Sequence, residues 1–146
     1  MVTLREVDRK NYLEVIKLAV SEEQKEYIAS NVFSLAQAKV QPECVPLAIY
    51  SDNDLVGFVM YCMDVDDNEY WIYRVMIDTR HQNRGYGRAA LLNVIDIIQA
   101  DKKYNKIYLS FEPENTVAKK LYEKLGFIPD GRIIHGEIVY CLNNAI

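Results

Sequence analysis

The stretch that most limits how this chain can fold runs from Arg74 to Arg88, RVMIDTRHQNRGYGR: an apolar strand-like segment, a polar turn, then a glycine-rich step that opens a helical pattern. A strand that passes through glycines into a helix N-terminus makes an anion site. The first N–H groups of the helix are unpaired, its dipole end is positive, and residues without a Cβ let a phosphate approach the backbone. Arg80, Arg84 and Arg88 add positive charge to the same segment. A phosphate-bearing ligand is therefore expected, although a lone glycine-rich turn does not say which one.

Around this stretch the pattern alternates between strands and helices. Residues 2–7 alternate apolar and polar side chains, as a strand does. From Asp8, read as an N-cap, Tyr12, Val15, Ile16 and Ala19 recur on one helix face. Ser21-Glu22-Glu23-Gln24 has the form of a capping box and predicts a second short helix through Tyr27 to Asn31, with a further turn at 34–39. Pro42 and Pro46 close this helical region. Residues 45–50 and 55–63 predict a hairpin about the turn 51–54. Residues 64–69 are a second turn, and 70–77 form the aromatic and β-branched strand that leads to the glycine step.

Beyond that step, Leu91, Val94, Ile95 and Ile98 mark a long helix ending near Asp101. Residues 106–111 predict a strand stopped by Pro113. Asn115 can cap a helix carrying Val117, Ala118, Leu121, Tyr122 and Leu125 on its apolar face, with Gly126 as its C′ residue. Ile128, Ile133-Ile134 and 138–142 supply one or two closing strands, with Gly131 and Gly136 at turns. The order predicts one α/β domain over residues 1–146, with helices packed on a mixed sheet.

Composition excludes several functions. A net charge of −4 disfavours nucleic-acid binding, which needs a basic surface. No apolar run approaches the roughly 20 residues that span a bilayer, so no membrane partner is expected. The N-terminus lacks a secretory layout, which makes the cytoplasm the expected location. Three cysteines without CxxC spacing and only two histidines, His81 and His135, argue against a disulfide framework or a metal site.

Two segments narrow the ligand. Gln82-Asn83-Arg84-Gly85-Tyr86-Gly87 fits the pattern Arg or Gln, two residues, Gly, one residue, Gly or Ala, and Asn115 to Phe127, NTVAKKLYEKLGF, follows in order. Together they make the chain resemble the GCN5-related N-acetyltransferases. The resemblance implies a mixed, mostly antiparallel central sheet flanked by helices and splayed at an acetyl-CoA site. It implies that the backbone around Met76 and Ile77 pairs with the pantetheine arm. The amides of Gln82, Asn83, Arg84, Gly85, Tyr86, Gly87 and Arg88 would hold the pyrophosphate, with Asn115 near the pantetheine. Tyr122 matches the tyrosine that protonates the departing thiolate.

A closer likeness is to bacterial spermine/spermidine acetyltransferases, carried by residues 21–38, with Asn31 and Ser34 to Ala38, and by Tyr70 to Asp78. Asn83 stands where these relatives commonly carry glycine. If the turn needs φ > 0 there, asparagine is the next most tolerant residue.

The chemistry implied is direct attack of a neutral amine on the acetyl carbonyl. A primary alkyl amine is mostly protonated near pH 7, so a base or a water path is required. Glu69 and Glu112, next to strands that approach the site, are the base candidates; the alternative is a pair of solvated strand-end carboxylates. Glu22, Glu23 and Glu26 can neutralise a polycation at the acceptor wall, or simply form a solvated helix face. Tyr27, Trp71 and Tyr73 can line a polyamine channel through cation–π contact, or belong to the core.

The expected activity is acetyl-CoA-dependent N-acetylation of a small cationic polyamine such as spermidine or spermine. Another amine acceptor (a peptide N-terminus, a lysine or an aminoglycoside) is the alternative, as is a non-catalytic CoA-binding module. The closing strands can pair across a homodimer, as in many relatives.

Overall fold

The computed structural model describes residues 1–104 and 106–143. These contain a sheet of β1 (Val2–Glu6), β2 (Cys44–Ser51), β3 (Asp54–Met63), β4 (Tyr70–Ile77), β5 (Lys106–Phe111), β6 (Ile128–Ile134) and β7 (Glu137–Asn143), in the spatial order β1-β2-β3-β4-β5-β7-β6. Every neighbouring pair is antiparallel except β4 and β5. Helices α3 (Tyr86–Gln99) and α4 (Thr116–Lys124) cover one face, and α1 (Tyr12–Lys17) and α2 (Asn31–Val40) cover the other.

The two faces hold separate cores, as the alternation of strand side chains requires. Val59, Ile72, Leu91, Val94, Ile98, Ile107, Leu109 and Phe127 pack under α3 and α4. Ala48, Phe58, Met60, Cys62 and Met76 pack with Val15 and Leu18 under α1 and α2. Cys44, Cys62 and Cys141 are all buried free thiols. No helix of the described residues is long and apolar enough to cross a membrane.

The helical region before β2 departs from the sequence pattern. Asp8 does not cap a helix: its Oδ1 accepts the N–H groups of Lys10 and Asn11, and α1 begins only at Tyr12. The capping box at Ser21 does not nucleate an α-helix, and a single 3₁₀ turn, Gln24–Glu26, stands there. Glu22 is engaged by Lys25 at 2.8 Å instead. The continuous helix starts at Asn31, where Ser30 Oγ accepts the N–H of Phe33 at 3.1 Å. Pro42 follows that helix, whereas Pro46 lies inside β2. At the far end, His135 and Gly136, both with φ > 0, make the two-residue turn between β6 and β7. Gly131 sits inside β6, where the register with β7 shifts.

A tertiary contact overrides the local helix signal at 18–21. Asp78, buried just after β4, accepts the N–H of Ala19 at 3.0 Å, and Thr79 N–H donates to the Ala19 carbonyl at 2.8 Å. Chain anchored in this extended form cannot continue a helix. Burial pushes the Asp78 carboxyl up, but the N–H groups of Ala19 and Arg80 and the Arg80 guanidinium outweigh it, holding the group below the usual carboxylate range.

Asp78→Asn is therefore expected to destabilise the fold by about 2 kcal/mol near neutral pH, since a hydrogen-bonded charge at a buried site is lost. A depressed pKa contributes its stability above the unfolded value of about 3.9 and loses it as pH falls through the folded value. Urea unfolding should thus show a wild-type advantage at pH 7 that shrinks below about pH 4.

Candidate active site

The parallel neighbours β4 and β5 are paired only at Tyr70↔Ile107 and Trp71↔Tyr108. Beyond these pairs the strands separate, and the C-terminal half of β4 loses its partner on that side. A bulge helps to turn it: Arg74 opposes Met60 and Ile72 opposes Tyr61, leaving Tyr73 without a partner on β3. Tyr73 and Arg74 consequently both point to the α2 side. Tyr73 packs in that core, while the Arg74 guanidinium lies 5.7 Å over the Phe33 ring and donates to Gln37 at 3.0 Å.

The register says which backbone groups face the opening. Asp78 N–H donates to the Val56 carbonyl at 2.8 Å, so by antiparallel alternation residues 74, 76 and 78 turn their backbone to β3. Val75 and Ile77 turn theirs to the gap. The Ile77 carbonyl is already taken by Gln82 Nε2 at 2.9 Å. The N–H and C=O of Val75 and the N–H of Ile77 remain. The Met76 side chain is buried on the α1/α2 side, where with Leu18, Val20, Lys25, Ile28 and Asn31 it lines a cavity of about 240 Å³.

After β4 the chain makes a short 3₁₀ turn, Thr79–His81, and enters the glycine step. Asn83 has φ 65° and Gly85 φ 81°, so the turn does use the left-handed region at the position where asparagine replaces glycine. Gly85 is the N-cap of α3. A Cβ on Gly87 would meet Ile77 and Leu121 only at 3.7 Å, ordinary contact, so nothing within the protein demands glycine there. Arg84 and Arg88 are exposed and form no ion pair among the described residues, whereas Arg80 is bound to Asp78 at 2.7 Å. Gln82 also donates to Gln24 at 2.9 Å, tying this turn to the 3₁₀ segment before α2.

Tyr122 projects from α4 into the α3/α4 core, its ring centroid 5.5 Å from Phe111 and 6.0 Å from Phe127. Burial, helped by the field of Glu137, pushes its phenol up to about 12. It keeps its proton throughout the neutral range. Asn115 caps α4, its Oδ1 accepting the N–H of Ala118 at 3.3 Å.

The acetyltransferase (GNAT) family model matches residues 1–127. The chain belongs to the GNAT acetyltransferase family. It is 32% identical over 145 residues to the spermine/spermidine N(1)-acetyltransferase of Bacillus subtilis, covering 94% of this chain and 95% of that one. Among solved structures, the spermidine N-acetyltransferase of Vibrio cholerae, in complex with CoA and spermine, superposes with a TM-score of 0.76 at 19% identity, over 98% of this chain and 95% of that one. An aminoglycoside acetyltransferase in complex with coenzyme A gives 0.80 at 15% identity, over 98% and 95%. These two likenesses establish the fold, and acetyl-CoA is the co-substrate of this acetyltransferase.

On the acceptor side the structure separates the residues that the sequence groups together. Glu22, Glu23 and Glu26 are exposed, and none of them lines the cavity beside Met76; Tyr27 is half-buried at the end of the 3₁₀ turn. Trp71 is only 8% exposed, stacked on Tyr108 with centroids 5.2 Å apart, and its Nε1 donates to Asp67. The Arg132 guanidinium lies over both rings, at 5.6 and 5.1 Å. The Tyr73 hydroxyl donates to Asp64 at 3.0 Å, and burial pushes its pKa far up. Glu69 stands just before the closed end of the β4–β5 pair, and Glu112 directly follows β5 at the open end.

One carboxylate at the opening went unmarked by the sequence. Glu137, the first residue of β7, accepts a hydrogen bond from Ser110 Oγ of β5 at 2.7 Å. No local signal singles it out. Its position is set by pairing between β5 and β7 across the whole of α4.

The glycine geometry separates binding from folding. Gly87→Val is expected to keep its unfolding free energy within about 1 kcal/mol of wild type, whereas Gly85→Ala costs about 1–2 kcal/mol because of its positive φ. Calorimetry with coenzyme A should show binding lost in the Gly87 variant, and wild-type affinity there would remove the phosphate cradle from this turn.

Proposed function

We propose that this acetyltransferase moves the acetyl group of acetyl-CoA to a primary amine of a small polyamine, spermidine or spermine, by direct attack. The observation that supports the acceptor class is the 32% identity, over nearly the full length of both chains, to the Bacillus subtilis enzyme named for spermine and spermidine. The free backbone groups of Val75 and Ile77 take the pantetheine arm as an added strand would be taken, by main-chain hydrogen bonds. The amides from Gln82 to Arg88 at the start of α3 take the pyrophosphate.

The amine attacks the thioester carbonyl, the C–N bond forms, and the C–S bond breaks with its electron pair leaving on sulfur. Tyr122 donates to that sulfur. A phenol at about 12 suits the task because it is never ionised at working pH and always has a proton to offer. Its apolar surroundings strengthen the donation, since little water competes for the developing charge.

Release of CoA thiol, followed with spermidine, spermine, an N-terminal peptide, a lysine peptide and an aminoglycoside, tests the acceptor. The polyamines should give the highest kcat/KM. Turnover on a peptide or an aminoglycoside with none on polyamines would reject this acceptor, and coenzyme binding without turnover on any amine would reject catalysis. Tyr122→Phe is expected to lower kcat about 100-fold, with acetyl-CoA affinity unchanged by calorimetry. Equal loss of both would make its role one of packing.

A further inference from the structure

The opening between β4 and β5 has a group that can handle a proton on each face of the sheet. Ile107, Leu109 and Phe111 of β5 point into the α3/α4 core, where Tyr122 lies. Ser110 therefore points to the opposite face, and so does Glu137, because Ile138, Tyr140 and Leu142 of β7 belong to the α3/α4 side. Ser110 lies beyond Tyr108, the last β5 residue paired with β4. The 2.7 Å bond from its hydroxyl thus fixes the Glu137 carboxylate on the far wall of the opening. No ion pair among the described residues engages Glu137. The titratable groups within its field are Arg74 from β4 on the same face and Tyr122 from α4 across the sheet: burial lowers the Arg74 guanidinium and the Glu137 charge partly offsets this, while burial and then the Glu137 charge raise the Tyr122 phenol.

We infer that Glu137 is a catalytic residue: it receives the acceptor's ammonium on the α1/α2 face of the opening and takes its proton before attack. This rests on acetyl transfer to a protonated amine and not on that amine being a polyamine. The carboxylate removes one proton from R–NH3⁺, and the freed lone pair attacks the carbonyl carbon. On collapse the C–S bond breaks, the nitrogen gives up a second proton, and the thiolate takes one from Tyr122. The proton given up by the nitrogen leaves to solvent, from which the phenol is reprotonated, and the proton on Glu137 goes to solvent. Reactants and products balance as ammonium plus thioester giving amide, thiol and one released proton. The nucleophile enters from one face while the leaving group is protonated from the other, so the two proton transfers do not compete for one space.

The assay uses whichever amine the wild type acetylates fastest, so failure of spermidine sinks the polyamine reading and leaves Glu137 tested on the replacement. Glu137→Gln is expected to lower kcat/KM about 100-fold at pH 7 with acetyl-CoA affinity and Tm unchanged. Its log kcat/KM should climb with pH at a slope near one between about pH 7 and pH 9, following the free-amine fraction, while the wild type rises less steeply. Glu137→Asp should recover part of the rate. Ser110→Ala, which frees the carboxylate without removing it, should give an intermediate loss with an intermediate slope, and it carries the test if Glu137→Gln fails to fold. A wild-type rate and slope in the Gln variant would overturn the assignment, as would a loss without change of slope. The same signature appearing in Glu112→Gln or Glu69→Gln instead would overturn it too.

Discussion

The pairing of β4 with β5 stops after two residue pairs, and the rest of the site depends on that interruption. Buried backbone N–H and C=O groups are rarely left without partners, because an unmade hydrogen bond in the interior is expensive. Strands that began as parallel neighbours would go on pairing unless something prevented it. The bulge at Tyr73 bends β4 at the point of departure, and β5 is held away along its entire length by β7. On its other side β4 is pressed close to β3, where a Cβ on Gly57 would stand 2.4 Å from the Met76 carbonyl. One rigid wall and one diverted wall give a slot with a fixed hydrogen-bonding edge, which is what an extended ligand arm needs.

Two side chains then close the ends of that edge without filling it. Gln82 takes the Ile77 carbonyl, and Arg74 Nη1 takes that of Tyr73 at 3.0 Å. Both bonds lie on the gap side of β4, and Val75 is left between them. Gln82 belongs to the glycine turn, so the same residue that opens the proposed phosphate cradle also marks where the strand edge ends. Asp78, one residue beyond Ile77, pins the α1–α2 connection to this point through Ala19. The glycine turn and the α1–α2 connection, the proposed coenzyme and acceptor walls, are thus fastened to the same few residues at the end of β4.

Much of this was legible in the sequence because it is local. The strands at 70–77 and 106–111 have the bounds that their aromatic and β-branched runs predict, and the left-handed turn at Asn83 follows from its residue type. The first helix, whose apolar face continues in the sequence to Ala19, ends at Lys17 because of a partner 59 positions away, since Asp78 claims the Ala19 N–H and no window of local pattern contains both. The choice between Met76 and Val75 as the backbone facing the opening turns on strand register, which a one-residue bulge inverts. Glu137 was invisible for a related reason: a single glutamate after a turn acquires meaning only when β7 pairs with β5.

The acceptor face carries two of the chain's own guanidinium groups, and this bears on how a cation could be chosen there. Arg74 lies over Phe33, while Arg132 covers Trp71 and Tyr108. An aromatic ring attracts a cation through its face, and a face already occupied offers little to a second one. Arg132 is moreover held by Asp130 at 2.7 Å, so displacing it would break an ion pair as well as two ring contacts. Of the three aromatic residues that read in the sequence as a polyamine channel, Trp71 seats Arg132 and Tyr73 is tied by its hydroxyl to Asp64. Repulsion between those arginines and an incoming ammonium must be offset by carboxylates. Asp64 and Asp67 are engaged by Tyr73 and Trp71, and both hold those rings in place rather than standing at the opening. For the proposed cationic acceptor, discrimination then falls to carboxylates at the open end, where Glu137 is fixed by Ser110 and Glu112 follows β5. For the proposed polyamine acceptor, selectivity would then come from charge placed along the β5–β7 wall and not from an aromatic cage.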